Sequence, residues 1–226
     1  MTSPYKNHQH RSISKSDLFR STALASAAGM LMVFGVAIAP ERADAACTVN
    51  GAPSSTGGRV FVPDGGSVDC PDGSTTQQAF DGRPAGSEDA NGYTFDLGDS
   101  ATLKMPTPAT ASSNAVIIAG PKSAITLGAN SVTESLRDSE AIRVSGDSPT
   151  IQIEKGASVI AEYEAIQGNR RLHEAVGLKV LNYGLIETRG TGTDAVIRTG
   201  DNAEVVNFGT IRRTTTFGAP LLSTGR

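Results

Sequence analysis

The sequence predicts an all-β chain, wound as a right-handed parallel β-helix with coils of about 25 residues. Three observations predict it. First, a short unit recurs as Asn114-Ala-Val-Ile-Ile-Ala-Gly120, Glu140-Ala-Ile-Arg-Val-Ser-Gly146, Glu164-Ala-Ile-Gln-Gly168 and Asp194-Ala-Val-Ile-Arg-Thr-Gly200. A further start, Ala219-Pro-Leu-Leu-Ser-Thr-Gly225, sits one residue before the last. The closing glycines step by 26, 22, 32 and 25 residues, the range of stacked repeats whose single units cannot bury an apolar face alone. Second, Ile125-Thr-Leu127, Ile142-Arg-Val144, Ile151-Gln-Ile153 and Leu178-Lys-Val180 alternate apolar and polar residues, which sends one set inward and the other to solvent. Third, a glycine recurs in each second half-unit: Gly128, Gly156, Gly184 and Gly209, spaced 28, 28 and 25 apart. Glycine is expected where a corner needs positive φ or close backbone approach. The hand follows from the general rule for parallel crossovers.

Residues 1–45 read as a signal peptide. Lys6, Arg11, Lys15 and Arg20 outweigh Asp17, an uncharged stretch runs from Ser21 to Pro40, and Ala43-Asp-Ala45 is a small-x-small cleavage pattern, so the cut is placed between Ala45 and Ala46. An uncleaved anchor is the competing reading, because 20 uncharged residues nearly span a bilayer. The Ala, Ser and Gly content and the closing Pro40 argue against it. A lipoprotein signal at Cys47 is disfavoured by the preceding Asp44-Ala-Ala.

The chain has 20 Lys/Arg and 23 Asp/Glu; with five and three of these before Ala46, 15 and 20 remain, a net of −5. No basic stripe exists, so nucleic acid is not an expected partner. Glycine is abundant, at 25, while seven Phe, four Tyr and no Trp suit tight turns and small interiors better than one bulky core. Only Cys47 and Cys70 remain after the leader. An oxidising destination lets them pair and staple a Gly/Pro-rich loop that has too few apolar residues to order itself, worth roughly 3 kcal/mol. Two Cys and His173 cannot complete a zinc site, and no cofactor motif occurs.

Residues 46–110 form a turn-rich, disulfide-stapled segment with capping coils. Its strand candidates are Arg59–Val62, Tyr93–Leu97 and Ala101–Met105. Ser74–Asn91 is read as a loop of little apolar content, and Met105–Ser113 as a linker or edge. Residues 111–226 form the β-helix repeats, cut within the last coil. Arg171–Val176 is the one brief helix candidate. The pairs Asn182/Asn207, Tyr183/Phe208 and Ile186/Ile211 are expected to stack between neighbouring coils as amide, aromatic and aliphatic ladders.

Asn182-Tyr-Gly-Leu-Ile-Glu-Thr188, Asp194-Ala-Val-Ile-Arg-Thr-Gly-Asp-Asn202 and Val206-Asn-Phe-Gly-Thr-Ile211 together resemble the repeats of bacterial autotransporter passenger domains. The opening Ala46-Cys-Thr-Val-Asn50, with its second cysteine at Cys70, resembles the mature start of such passengers. The likeness covers Ala46–Cys70 loosely and Asn114–Arg226 better. It implies Sec export, passage through a C-terminal outer-membrane β-barrel of the same polypeptide, and display at the cell surface. No barrel strands fit after Gly225, so the expectation is a fragment or truncated product, periplasmic if truncated, or a short secreted relative.

Catalytic signals are sparse. His173 stands in a polar insertion, and no Gly-x-Ser-x-Gly occurs. Glu162 and Glu164, with Glu134, Asp138 and Glu140 one coil earlier, are paired carboxylates, but they fall where solvated turns belong. The calcium-binding Gly-Gly-x-Gly-x-Asp repeat is absent. The expected function is a non-catalytic, surface-displayed or secreted stalk or adhesive module. Its expected partners are an extracellular surface or carbohydrate, a β-barrel translocator, and a second copy through the open C-terminal coil. The alternative is a polysaccharide hydrolase or lyase with its cleft beside Glu162, Glu164 and Arg170.

Overall fold

A computed structural model describes residues 46–54, 58–85, 87, 89–105, 115–136, 139–168, 174–190, 195–214 and 222–223. All described regular structure is β, and nearly all the pairing between coils is parallel. Each full coil contributes a strand to each of three faces, and about five turns stack.

The first face carries Ser67–Cys70, Thr94–Leu97, Ala124–Leu127, Thr150–Ile153, Lys179–Asn182 and Glu204–Asn207. These starts step by 27, 30, 26, 29 and 25 residues, so the coil is nearer 27 than 25 residues long. The second face carries Thr102–Lys104, Val132–Ser135, Ser158–Ala161, Leu185–Thr188 and Thr210–Arg213. The third carries Gly58–Phe61, Ala115–Ala119, Glu140–Val144, Ile166–Gln167, Ile197–Arg198 and Leu222–Ser223. Thr75–Asp81 bends around a corner and serves both. Gly146–Asp147 and Ala175–Val176 make a small separate ladder.

Register turns the alternation into columns. Val68, Phe95, Ile125, Ile151, Val180 and Val205 stack on one inward line of the first face. Leu103, Thr133, Val159, Ile186 and Ile211 stack on the second. Val60, Phe80, Ile117, Ile142, Ile166 and Ile197 stack on the third. Most of these are fully buried and join one core. Each large aliphatic contributes on the order of 1.5–3 kcal/mol, which is how a chain without Trp fills its interior.

Several expectations change. Ser74–Asn91 is not a loop throughout: Thr75–Asp81 is a strand whose Gln78, Ala79, Phe80 and Asp81 are buried. Its polar residues tolerate burial because Ser54 donates to Gln78 at 3.0 Å and Arg83 ties Asp81 at 2.8 Å. The ladder runs unbroken across residue 110, with Thr94–Leu97 on Ala124–Leu127. Leu222–Ser223 pairs with Ile197–Arg198 on the third face. Ala175–Val176, at the end of the helix candidate, is a strand.

The recurring glycines are not one landmark. In register, Gly128 is the first residue of its corner, Gly156 the third and Gly184 the second. The positive-φ column at that corner is Gly73, Ser100, Asn130 and Gly156. A Cβ on Gly184 or Gly209 would instead lie 2.2 or 2.1 Å from a carbonyl oxygen of the preceding coil. The last two coils turn this corner in two residues rather than four.

Candidate functional site

The outward columns of the first face define the candidate site, a surface groove of about 380 Å³. Ala124, Thr150, Lys179 and Glu204 form one column, and Thr126, Gln152, Leu181 and Val206 the next. The ladders set the strands side by side, so two hydroxyls, an amide and two aliphatic side chains from successive coils share one surface. Lys179 and Glu204 stand 3.9 Å apart, both well exposed, and contribute little rigidity. Gln152 donates to Glu154 at 2.5 Å.

The same alternation carries Tyr183 and Phe208 outward beyond Leu181 and Val206. Their rings stack at 5.1 Å with planes 10° apart, 41 and 67% exposed. Beneath them, Asn182 is fully buried. Its amide donates to Asn207 Oδ1 at 2.6 Å, and its oxygen accepts the Gly184 N–H at 3.0 Å. The expected ladders of Asn182/Asn207, Tyr183/Phe208 and Ile186/Ile211 are therefore present.

Toward the other end of this face lie Asp69, Asp72, Asp96 and Asp99. Partial burial, then the charges of Asp69, Asp72 and Asp99, raise the Asp96 carboxyl above its ordinary value. Asp72 and Asp99 also accept backbone N–H groups of Asp99 and Ala129 at 2.8 and 2.7 Å, so their carboxylates stitch consecutive corners together.

The third face holds a different constellation. Register places Glu140 over Glu164, and Arg143 over Gln167 and Arg198. Arg143 binds Glu140 at 2.8 Å and Gln167 at 3.0 Å, and Arg198 reaches Glu164 at 2.7 Å. Glu140, Arg143, Glu164 and Gln167 are each less than 10% exposed. The expectation of solvated turns fails for Glu140 and Glu164. The flanking Ala141 and Ala165 join the core and anchor the backbone beside each carboxylate, Glu140 at the start of its strand and Glu164 just before Ile166–Gln167. Glu134 and Glu162 are half-buried. Glu134 meets Lys104 at 3.0 Å, while Glu187 takes Arg189 at 2.6 Å and Arg212 at 2.7 Å on the second face. Burial pulls Glu187 upward, but hydrogen bonds from the two arginines outweigh it and hold the carboxyl below its ordinary value.

Cys47 and Cys70 are joined in a disulfide, and both are fully buried. Ala46 is the first described residue. Ala45, Asp138, Arg170, Arg171 and His173 lie outside the described residues. Among the described residues no group of three or more His, Cys, Asp or Glu is arranged to hold a metal ion. Two features were missed in the sequence. Asn50-Gly51 makes a hairpin, a pairing its dipeptide signals directly. The groove required the register, which uneven coil lengths conceal.

No protein-family model matches the chain, and no curated protein or solved structure matches it either.

Proposed function

We propose that this chain is an exported, non-catalytic solenoid that serves as a surface-displayed structural or adhesive module of the autotransporter-passenger type. The observation that carries this reading is the first face. Six strands in register present two continuous outward columns along the axis, acidic at Asp69 and Asp96, then hydroxyl and amide at Thr126, Thr150 and Gln152, then aliphatic at Leu181 and Val206, with a stacked aromatic pair at one corner. Such a surface suits shallow, extended contact with a polymeric ligand, as solenoids generally do. The buried Cys47–Cys70 bond is compatible with an oxidising destination.

The carbohydrate-active reading keeps one specific observation, the stacked Glu140 and Glu164 with their arginines. Both carboxylates are engaged and buried, which favours a tie between coils over a cleft open to a sugar chain. Incubation with a panel of soluble polysaccharides separates the two. Retention on one or more of them without chain shortening, lost on Gln152→Glu with Leu181→Asp, supports the adhesive module. Chain shortening abolished by Glu164→Gln supports the enzyme.

A further inference from the structure

The outward side of the first face changes character along the axis. One column runs Asp69, Asp96, Thr126, Gln152, Leu181 and Val206, each in register with the next. Its neighbour runs Ser67, Thr94, Ala124, Thr150, Lys179 and Glu204. Adjacent strands lie ~4.8 Å apart, so the track from Asp69 to Val206 is about 24 Å long.

Charge is distributed unevenly along this track. Asp69 and Asp96 are exposed and side by side, and among the described residues no Lys or Arg pairs with either. The charges that bear on Asp96 are those of Asp69, Asp72 and Asp99. Asp72 and Asp99 are engaged by backbone N–H groups at the corner, which leaves Asp69 and Asp96 to face a ligand. Lys179 is the cation of these columns, and Glu204 stands beside it at 3.9 Å. Lys122 and Lys155 stand at corners, outside both columns.

Three kinds of occupant fit badly. The N–H and C=O groups of the strands are spent in the ladders, so a peptide laid on this face finds no backbone to pair with. A polyanion sets its charges against Asp69 and Asp96, and a neutral polymer leaves that end unmatched. We infer that the face binds a linear polymer of amino sugars carrying free amines, laid along the solenoid axis with ammonium groups over Asp69 and Asp96. Its hydroxyls meet Thr126, Thr150 and Gln152, and the apolar C–H faces of its rings cover Leu181 and Val206. Tyr183 and Phe208 extend that apolar end at the corner. One pyranose advances an extended chain by about the separation of two adjacent strands, so successive sugars meet successive coils. The amines also relieve the repulsion between Asp69 and Asp96. This inference rests on the proposed adhesive reading and narrows its ligand.

The test titrates the full chain with a glucosamine pentamer and with its fully N-acetylated counterpart by calorimetry, at mildly acidic pH and low salt. The free-amine pentamer is expected to bind about fivefold more tightly, the size of two exposed ion pairs. The difference should disappear in high salt. Asp69→Asn with Asp96→Asn is expected to level the two oligomers. Asp147→Asn with Asp201→Asn, an equal change of net charge on exposed residues off this face, should leave the preference intact. Gln152→Ala with Leu181→Ser should weaken both oligomers. Three results overturn the inference: equal binding of the two pentamers, a preference that survives Asp69→Asn with Asp96→Asn, or pentalysine binding as tightly as the free-amine sugar. Retention of another polysaccharide with neither pentamer bound overturns this inference and leaves the proposed function standing. Retention of no polysaccharide at all overturns both.

Discussion

Two carboxylates show opposite linkage. Glu187, held below its ordinary value by Arg189 and Arg212, contributes stability that is present above the unfolded-state pKa and lost as pH falls through its lowered folded value. Glu187→Gln should therefore destabilise the chain at neutral pH and flatten its acid-unfolding profile, read as the urea midpoint against pH. Asp96 is raised by partial burial and by three neighbouring aspartates, so its favourable contribution exists below the unfolded pKa and is lost as pH rises through the folded one. Asp96→Asn should raise the thermal midpoint at neutral pH, with the gain shrinking in high salt and vanishing in acid. Glycines divide by a similar logic. Gly156 needs its positive φ of +81°, whereas Gly184 needs the space that a Cβ would take 2.2 Å from the Ala157 oxygen. Gly184→Ala should cost roughly 2 kcal/mol or more because backbone must move. Gly156→Asn should cost less, since Asn130 already adopts this conformation at the equivalent corner and the obstacle to a Cβ, 2.2 Å away, is the Asn130 side-chain oxygen rather than backbone.

At the level of elements, stability resides in the columns between strands. Asn182→Leu keeps the branching but removes the acceptor of the Gly184 N–H and the bond to Asn207 Oδ1, so a loss of about 1–3 kcal/mol is expected in chemical denaturation. Ile142→Ala, in the middle of the third-face column, should cost about 2–5 kcal/mol. The strands of the first face were legible in the sequence because Ile125-Thr-Leu127 and Ile151-Gln-Ile153 alternate cleanly and one side meets water. The third face was less so. All five residues of Glu140–Val144 are buried, and the polar Arg143 and Glu140 are satisfied by one another rather than by solvent. A period-two reading treats those charges as exposed. Thr75–Asp81 was hidden for a related reason: Asp81, flanked by Arg59 and Arg83, passes for loop composition until its partners come together in space.

For the whole molecule, repeated units implied stacking, but they did not fix the register. Asn114 and Glu140 open similar units, yet the ladder pairs Glu140 with Ala115, and the sixth strand of the first face begins at Glu204 after a 25-residue step. The candidate groove is a product of that register, since Thr126, Gln152, Leu181 and Val206 are about 25–29 residues apart in sequence and adjacent in space. The buried carboxylates and arginines work as ties between coils, and the proposed ligand contact falls to the outer face of the stack. Export is the premise on which that display role rests. The most direct measurement is the intact mass of the protein recovered from cell fractions of its native host, with and without thiol alkylation. The account expects an exported species that begins at Ala46 and resists alkylation at Cys47 and Cys70 until reduced. A cytoplasmic species that retains Met1, with both cysteines alkylated directly, would contradict it.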